Sequence, residues 1–566
     1  MPYFVNTRCP NLGSNNVFID VQNIIGIRNN TSIDIYNLNS GTHLGINRLE
    51  EFTLKQALCD SSDREHPRCF EGTRIAYRDQ IMGWAKGQWR SHNARVMWMD
   101  GPAGVGKSSV AQTWADEMEG LLSATFFFFC ANGWNEAIKL FPTIAYQLAI
   151  KYGSYRAALD SAITRDPLIL DKSLSVQFQV LIVQPILESS PEDQNAMADT
   201  VIVIDGFDEC AALNETLDSS QTQVQIIDII TTSALNDTSP FLWGVFSRPE
   251  MHILAALQAT PAVDVTWRLT LPLKALKADE DIKAYLENAF ETIRWKYPSI
   301  PPSWPSEESL TQLVAQADGL FIYSTSVTRF IEQNNEGSRL GPKEWLQLLL
   351  EPEQGMHAKL SKVDQLYILI MDQIPEHTLP NTLLILYAYH YLRTQRPIWS
   401  TVPILSSLLG FSQPTFDDAI SPLRAILQEY SNGDHKLLRF YHTSFTDFLA
   451  DSARCQARYY IRTNKIWAQF FSACVDILCL PLPSVSGRHS IHDDFNNQEQ
   501  KEIVVRQAAF YTLFDLPYQV DYFNLCEHSD ILEKMTQIDW NLHTNVYEAY
   551  SGYLAIGAPG LSDPKM

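Results

Sequence analysis

The chain has no apolar run long enough to cross a bilayer and no basic-then-apolar leader of the kind that directs secretion. Residues 455–566 have no repeat at ankyrin, tetratricopeptide or propeller period, so a solenoid or propeller array is not expected there. Basic residues are scarce: 43 Lys and Arg stand against 65 Asp and Glu, a formal charge of −22. That balance repels nucleic acid and anionic membrane, which leaves proteins as the expected macromolecular partners. Nine cysteines lie scattered without a paired framework, as suits free, mostly buried thiols in a reducing compartment. Cys474 and Cys479 with His489 and His492 could be offered as zinc ligands. The two cysteines fall in an apolar, Leu-rich run and the histidines flank a predicted loop, so thiol burial is the expectation. No G-x-S-x-G elbow follows a predicted strand, which removes a Ser/His/Asp hydrolase. These absences predict a soluble cytoplasmic protein, and 566 residues are enough for roughly three to four domains.

What is present begins with an apolar strand, Ala94–Asp100, that opens directly into Gly101, Pro102, Ala103, Gly104, Val105, Gly106, Lys107, Ser108 and Ser109. This is the spacing G-x-x-x-x-G-K-S of a phosphate-binding loop. The glycines at 101, 104 and 106 are expected to take positive φ, so that backbone N–H groups turn inward on an oxyanion. Lys107 supplies a point charge for the outer phosphates, Ser108 a hydroxyl for Mg²⁺, and the helix predicted from Lys107 to Met118 its positive dipole end.

Two further apolar strands end in polar groups, as strands of an open parallel sheet do at a ligand site. Thr200–Asp205 is followed by Asp208 and Glu209. Asp205 is the candidate Mg²⁺ ligand, because that ion takes few protein oxygens and keeps several waters. Asp208 or Glu209 could orient or deprotonate an attacking water. Phe241–Ser247 ends at Arg248, whose permanently charged, planar guanidinium suits a γ-phosphate. A surface ion pair is the alternative role for Arg248, and a helix cap the alternative for Asp205. The run Thr125–Cys130 holds four consecutive phenylalanines; a central parallel strand covered on both faces calls for such a run, so core packing is expected rather than an aromatic cage.

Residues 1–49 are Asn-rich, with period-two alternation in Val17–Gly26 and Ile33–Tyr36 that reads as short strands, either docked, poorly ordered, or exposing edges for assembly. From Leu405 the chain reads as helices, then a hairpin turning at Ser431–Asp434 into the run Lys436–Tyr441.

The ordered set of phosphate loop, Val201–Glu209, Ser247-Arg248-Pro249, Asp281-Ile282 and Ala317–Tyr323 resembles the NACHT class of STAND NTPases. It is most similar to the fungal type with a nephrocystin-type N-terminal domain. Cys69–Arg74, Phe141–Ala149 and Tyr441–Leu449 resemble further recurring segments of that family, and the likeness covers about residues 69–454. One departure is Cys130-Ala131, where many relatives carry Ser-Arg.

The resemblance implies an α/β P-loop NTPase core with a parallel sheet, followed by helical and winged-helix domains and an α-helical carboxyl-terminal region. The implied divisions are a helical lead-in at 50–90, a nucleotide-binding domain at 91–275, a small helical domain at 276–375, a winged helix at 376–455 and a helical region at 456–566. It implies ATP and ADP with Mg²⁺ as ligands, slow hydrolysis, self-assembly on activation and an unidentified protein effector. ATP over GTP rests on the resemblance alone. Gly319-Leu320 would lie near the adenine, with Phe321 where related families often carry proline. His442 would reach the β-phosphate of ADP, although a satisfied structural histidine is the other reading of that residue. The rival activities are a constitutive ATPase motor and a nucleotide-stabilised scaffold that never hydrolyses.

Overall fold

The computed structural model describes residues 23–28, 32–37, 44–62, 67–88, 94–118, 120–213, 218–274, 277–333, 340–351, 360–395, 397–432, 435–480 and 498–514, with residues 534 and 538. His489 and His492, the centre of the turn after Asn432 and nearly all of the chain beyond Phe514 lie outside the described residues. Near the amino end, β1 (Asn23–Arg28) and β2 (Ser32–Asn37) pair antiparallel, Ile25 opposite Ile35, while residues 17–22 of the first alternating run lie outside the described residues.

The organising layer is a five-stranded parallel sheet. Its strands are β3 (Val96–Asp100), β4 (Leu122–Phe127), β5 (Val201–Asp205), β6 (Leu242–Ser247) and β7 (Thr266–Thr270), in the spatial order β4-β5-β6-β3-β7. Parallel strands need crossovers, and helices supply them on both faces. Successive side chains accordingly divide between two cores. Trp98, Phe126, Ile202, Ile204 and Trp243 join the helices Leu140–Lys151 and Gly153–Arg165 on one face. Met97, Met99, Val201, Val203 and Phe246 join Trp84 and Trp114 on the other, from the helices Ile75–Ala85 and Lys107–Glu117.

β4 starts and ends earlier than its apolar run implies. After Phe127 the chain keeps only the bond from the Phe128 N–H to the Asp205 carbonyl, then turns back on itself where Phe129 pairs with Trp134. Apolarity marks what is buried, whereas the ladder ends where the backbone turns. β7 begins only at Thr266, because Ala262–Val265 forms a 3₁₀ turn before it.

Beyond the sheet, the helices Ala278–Lys296, Glu307–Ala317, Phe321–Gln333, Pro342–Leu350, Lys362–Asp372 and Leu379–Gln395 share one apolar core. Ala278–Lys296 is oriented by charge, with Asp279, Glu280 and Asp281 in its first turn and Arg294 and Lys296 in its last. The same core continues through Val402–Leu408, Gln413–Ile420, the hairpin β8 (Leu427–Asn432) and β9 (His435–Phe440), and the helices Thr443–Leu449 and Asn464–Cys479. Among the described residues no helix is long and apolar enough to cross a membrane.

Candidate functional site

β6 lies between the loop-bearing β3 and the acid-bearing β5, so the residues just beyond it stand between phosphate loop and carboxylates. This placement brings Arg248 beside Asp208 and Glu209, which sequence spacing alone leaves unconnected. The Trp98 indole N–H donates to Ser247 Oγ at 2.8 Å and ties the ends of β3 and β6 together.

In the loop, Gly104 and Gly106 take φ of +79° and +98°, the left-handed region that a side chain disfavours. Gly101 is needed for a different reason than expected. Its φ is not positive; a Cβ there would lie 2.3 Å from the Leu271 carbonyl oxygen, so close approach to the chain leaving β7 is the constraint. The Lys107 ammonium donates to the carbonyls of Gly101 and Pro102 at 2.7 and 2.8 Å, folded back over its own loop. Burial pulls its pKa down, opposed by the charges of Asp208 and Asp205.

A cavity of about 210 Å³ collects these groups. The sheet side contributes Ala103, Gly104, Gly106, Lys107, Ser108, Ser109, Asp205, Asp208, Glu209 and Arg248; the helical and hairpin side contributes Phe321, Ile322, Arg329, Arg439, Tyr441, His442 and Thr443. Gly101, Pro102 and Val105 belong to the same loop without lining the cavity. Phe127, Phe128 and Phe129 reach its edge while Phe126 stays in the core, so the phenylalanine run serves packing and also walls the site. Ser108 and Asp205 are both oxygen donors on this wall and fit a hard divalent cation such as Mg²⁺. A larger open cleft of about 760 Å³ shares Tyr441 with the first, but Lys296 is paired there with Glu332 and Lys436 with Glu429.

The carboxylates are held from both sides. Asp208 accepts the Arg248 backbone N–H at 2.8 Å and pairs with Arg248 Nε at 3.2 Å. Glu209 accepts the Cys130 N–H at 2.8 Å and the Thr443 hydroxyl at 3.0 Å. Burial first, and the adjacent charge of Asp208 second, push the Glu209 carboxyl up to about 8. Arg248 also reaches Asp447 Oδ2 through Nη1 and Nη2, at 3.2 and 3.1 Å, and Thr443 Oγ1 at 3.3 Å.

His442 caps the helix Thr443–Leu449. Its Nδ1 accepts the Ser444 backbone N–H at 3.0 Å and lies 2.8 Å from Ser444 Oγ, which is in turn 2.6 Å from the Tyr367 hydroxyl. Burial lowers the imidazole pKa to about 3, helped by the positive charges of Arg248, Lys107 and Arg329. The ring is neutral, and because Nδ1 accepts, the assigned tautomer carries its proton on Nε2.

Four contributors escape a reading of the sequence: Arg74, Arg329, Thr443 and Asp447. Arg74 Nη2 donates to the Val105 carbonyl at 2.9 Å, and its backbone N–H to Asp281 Oδ2 at 3.0 Å, tying the lead-in and the helix Ala278–Lys296 to the loop. Arg329 lies 3.6 Å over the Tyr441 ring. Thr443 and Asp447 fall within the family-like segment Tyr441–Leu449, and their i, i+4 spacing places both on one helix face, but neither signal names their partners.

The phosphate loop, the parallel sheet and the acids at its carboxyl edge define a P-loop NTPase-like core. Residues 78–248 of the chain match the family described as Nephrocystin 3, N-terminal, a span that includes the loop and β5 and ends at Arg248. No curated protein matches the chain. Among solved structures, the ADP form of the ORC2 protein of Aeropyrum pernix is similar over 70% of this chain and 93% of that one. The identity is 13% and the TM-score 0.28, too low to support a shared fold.

Proposed function

We propose that this chain is a nucleotide-dependent switch of the NACHT/STAND type, which binds ADP or ATP with Mg²⁺, hydrolyses slowly and controls its own assembly. The observation that carries the reading is that His442, Thr443 and Tyr441 line the same cavity as Lys107 and Ser108. A nucleotide bound by the loop touches two layers of the molecule at once, so its state can bias their packing. In this reading the helices from Ala278 to Asp372, within 276–375, form the small helical domain, and those from Leu379 to Leu449 with the β8–β9 hairpin, within 376–455, the winged helix.

Lys107 leaves the Gly101 and Pro102 carbonyls to meet the outer phosphates, while the loop N–H groups and the helix beginning at Lys107 hold the rest. Ser108 and Asp205 would hold Mg²⁺, which supplies charge neutralisation at the phosphates. His442 offers its Nε2–H to the β-phosphate and keeps the two layers together. Glu209 is the proton acceptor for water. A carboxyl with a pKa near 8 holds its proton at neutral pH, which supports slow turnover.

The test is the nucleotide retained by purified protein, with single-turnover hydrolysis and native mass, for wild type and His442→Ala. Retained ADP, slow cleavage, and faster release or assembly in the variant are expected. Rapid steady turnover untouched by His442→Ala would mark a motor instead, and bound ATP that is never cleaved a scaffold.

A further inference from the structure

We infer that Thr443 and Asp447 are positioning residues that withhold Glu209 and Arg248 from a bound nucleotide, so that the site in this arrangement prefers a nucleoside diphosphate to a triphosphate. The inference rests on the nucleotide-binding reading above and adds to it the groups that set which nucleotide the closed site accepts.

Most donors and acceptors around the two residues have partners among one another. The Arg248 guanidinium has five N–H groups. Its Nε faces Asp208 Oδ2, both terminal nitrogens face Asp447 Oδ2, and Nη2 also faces Thr443 Oγ1. The single Thr443 hydroxyl proton goes to Glu209 Oε1, and the Cys130 N–H occupies Oε2. A relay therefore runs from Arg248 through Thr443 to Glu209, and both Glu209 oxygens are engaged. Burial and the charge of Asp208 outweigh the Cys130 and Thr443 donors, which favour the charged carboxylate, and so favour the protonated acid, which takes no proton from water.

The two nucleotides meet this arrangement differently. A diphosphate ends at the loop and at His442 and needs nothing from Arg248. A triphosphate extends a further anionic group toward Arg248, where Asp447 already provides the counter-charge. To be neutralised, that group must draw Arg248 away from Asp447, and this removes the ion pair holding the helix Thr443–Leu449 against the sheet. By linkage, whatever favours the triphosphate loosens that helix, and whatever loosens the helix favours the triphosphate. Asp208 keeps its hold on the Arg248 backbone throughout, so the guanidinium can turn without the chain moving.

The experiment compares the dissociation constants of fluorescent ADP and of a fluorescent, non-hydrolysable ATP analogue on the full chain, with Mg²⁺. Wild type, Asp447→Asn, Asp447→Glu, Thr443→Val and Lys107→Ala are measured. Asp447→Asn keeps the shape and removes the charge; it should shift the ADP-over-ATP preference toward the triphosphate by about ten-fold, a size typical of coupling between sites, mostly through tighter triphosphate binding. Thr443→Val should shift it less in the same direction, and Asp447→Glu should restore the preference. An unchanged ratio in both Asp447→Asn and Thr443→Val overturns the inference, as does an equal loss of both affinities, which marks a merely structural helix. If Asp447→Asn does not fold, Thr443→Val and Asp447→Glu decide. Wild type that binds neither nucleotide, or binds both as well after Lys107→Ala, overturns the nucleotide reading itself and the inference with it.

Discussion

The two walls of the cavity are made by different routes. The sheet wall comes from short contiguous runs, each a strand with its polar ending, and the register of parallel strands aligns those endings at one edge. Asp100 stands opposite Ser247 and Phe127 opposite Asp205 for that reason. The hairpin wall comes from two segments further along the chain, Phe321–Arg329 and Arg439–Thr443, brought over by an apolar core shared with the helices beyond the sheet. In the proposed switch the first wall is the generic part that holds phosphates, and the second converts that grip into a change of packing.

Lys107→Ala strikes the first wall and should give the largest effect. Losing one charge-assisted contact to phosphate predicts about 100-fold weaker binding of ADP and ATP alike, read by fluorescent nucleotide titration. His442→Ala strikes the second and should weaken ADP by about ten-fold, the scale of one charge-assisted hydrogen bond, while sparing the triphosphate. Equal weakening of both nucleotides would erase the distinction between the walls. The same substitution removes a helix cap and should lower stability by about 1 kcal/mol, measurable by denaturant unfolding.

The remaining effects lie in pH, each confined to one end of the pH range. The Glu209 carboxyl is raised above its unfolded value, so its contribution is fully present below pH 4.5 and fades as pH rises toward about 8. His442 is lowered, so its contribution is present above pH 6.5 and fades as pH falls toward about 3. Thermal unfolding of Glu209→Gln should lose the alkaline slope and His442→Asn the acidic one. If both slopes persist in both variants, neither residue is buried as described.

Much of the first wall is legible in the sequence because its rules are local. A phosphate loop has fixed spacing, and a buried strand is an apolar run with alternating faces. Even there the spacing misleads at Gly101, since the Leu271 carbonyl that crowds it arrives from another strand. On the second wall His442 comes from family likeness, and the hairpin from its turn residues. Arg329 cannot be read at all: a cation inside an amphipathic helix gives no sign of which ring or cavity it meets. Thr443 and Asp447 are visible as a spacing, but their partners Glu209 and Arg248 are set by tertiary packing alone.

The Ile322 N–H donates to the Gly104 carbonyl at 3.2 Å, at the very start of the helix Phe321–Gln333. Thirteen helical residues make a rod about 20 Å long, and Arg329, on that rod, rests on Tyr441 beside His442. One end of a stiff rod is thus fastened to the glycine-rich loop and its far portion to the residue that precedes the histidine. In the proposed switch, this rod is the direct route by which a shift of the loop on binding phosphate is passed to the hairpin.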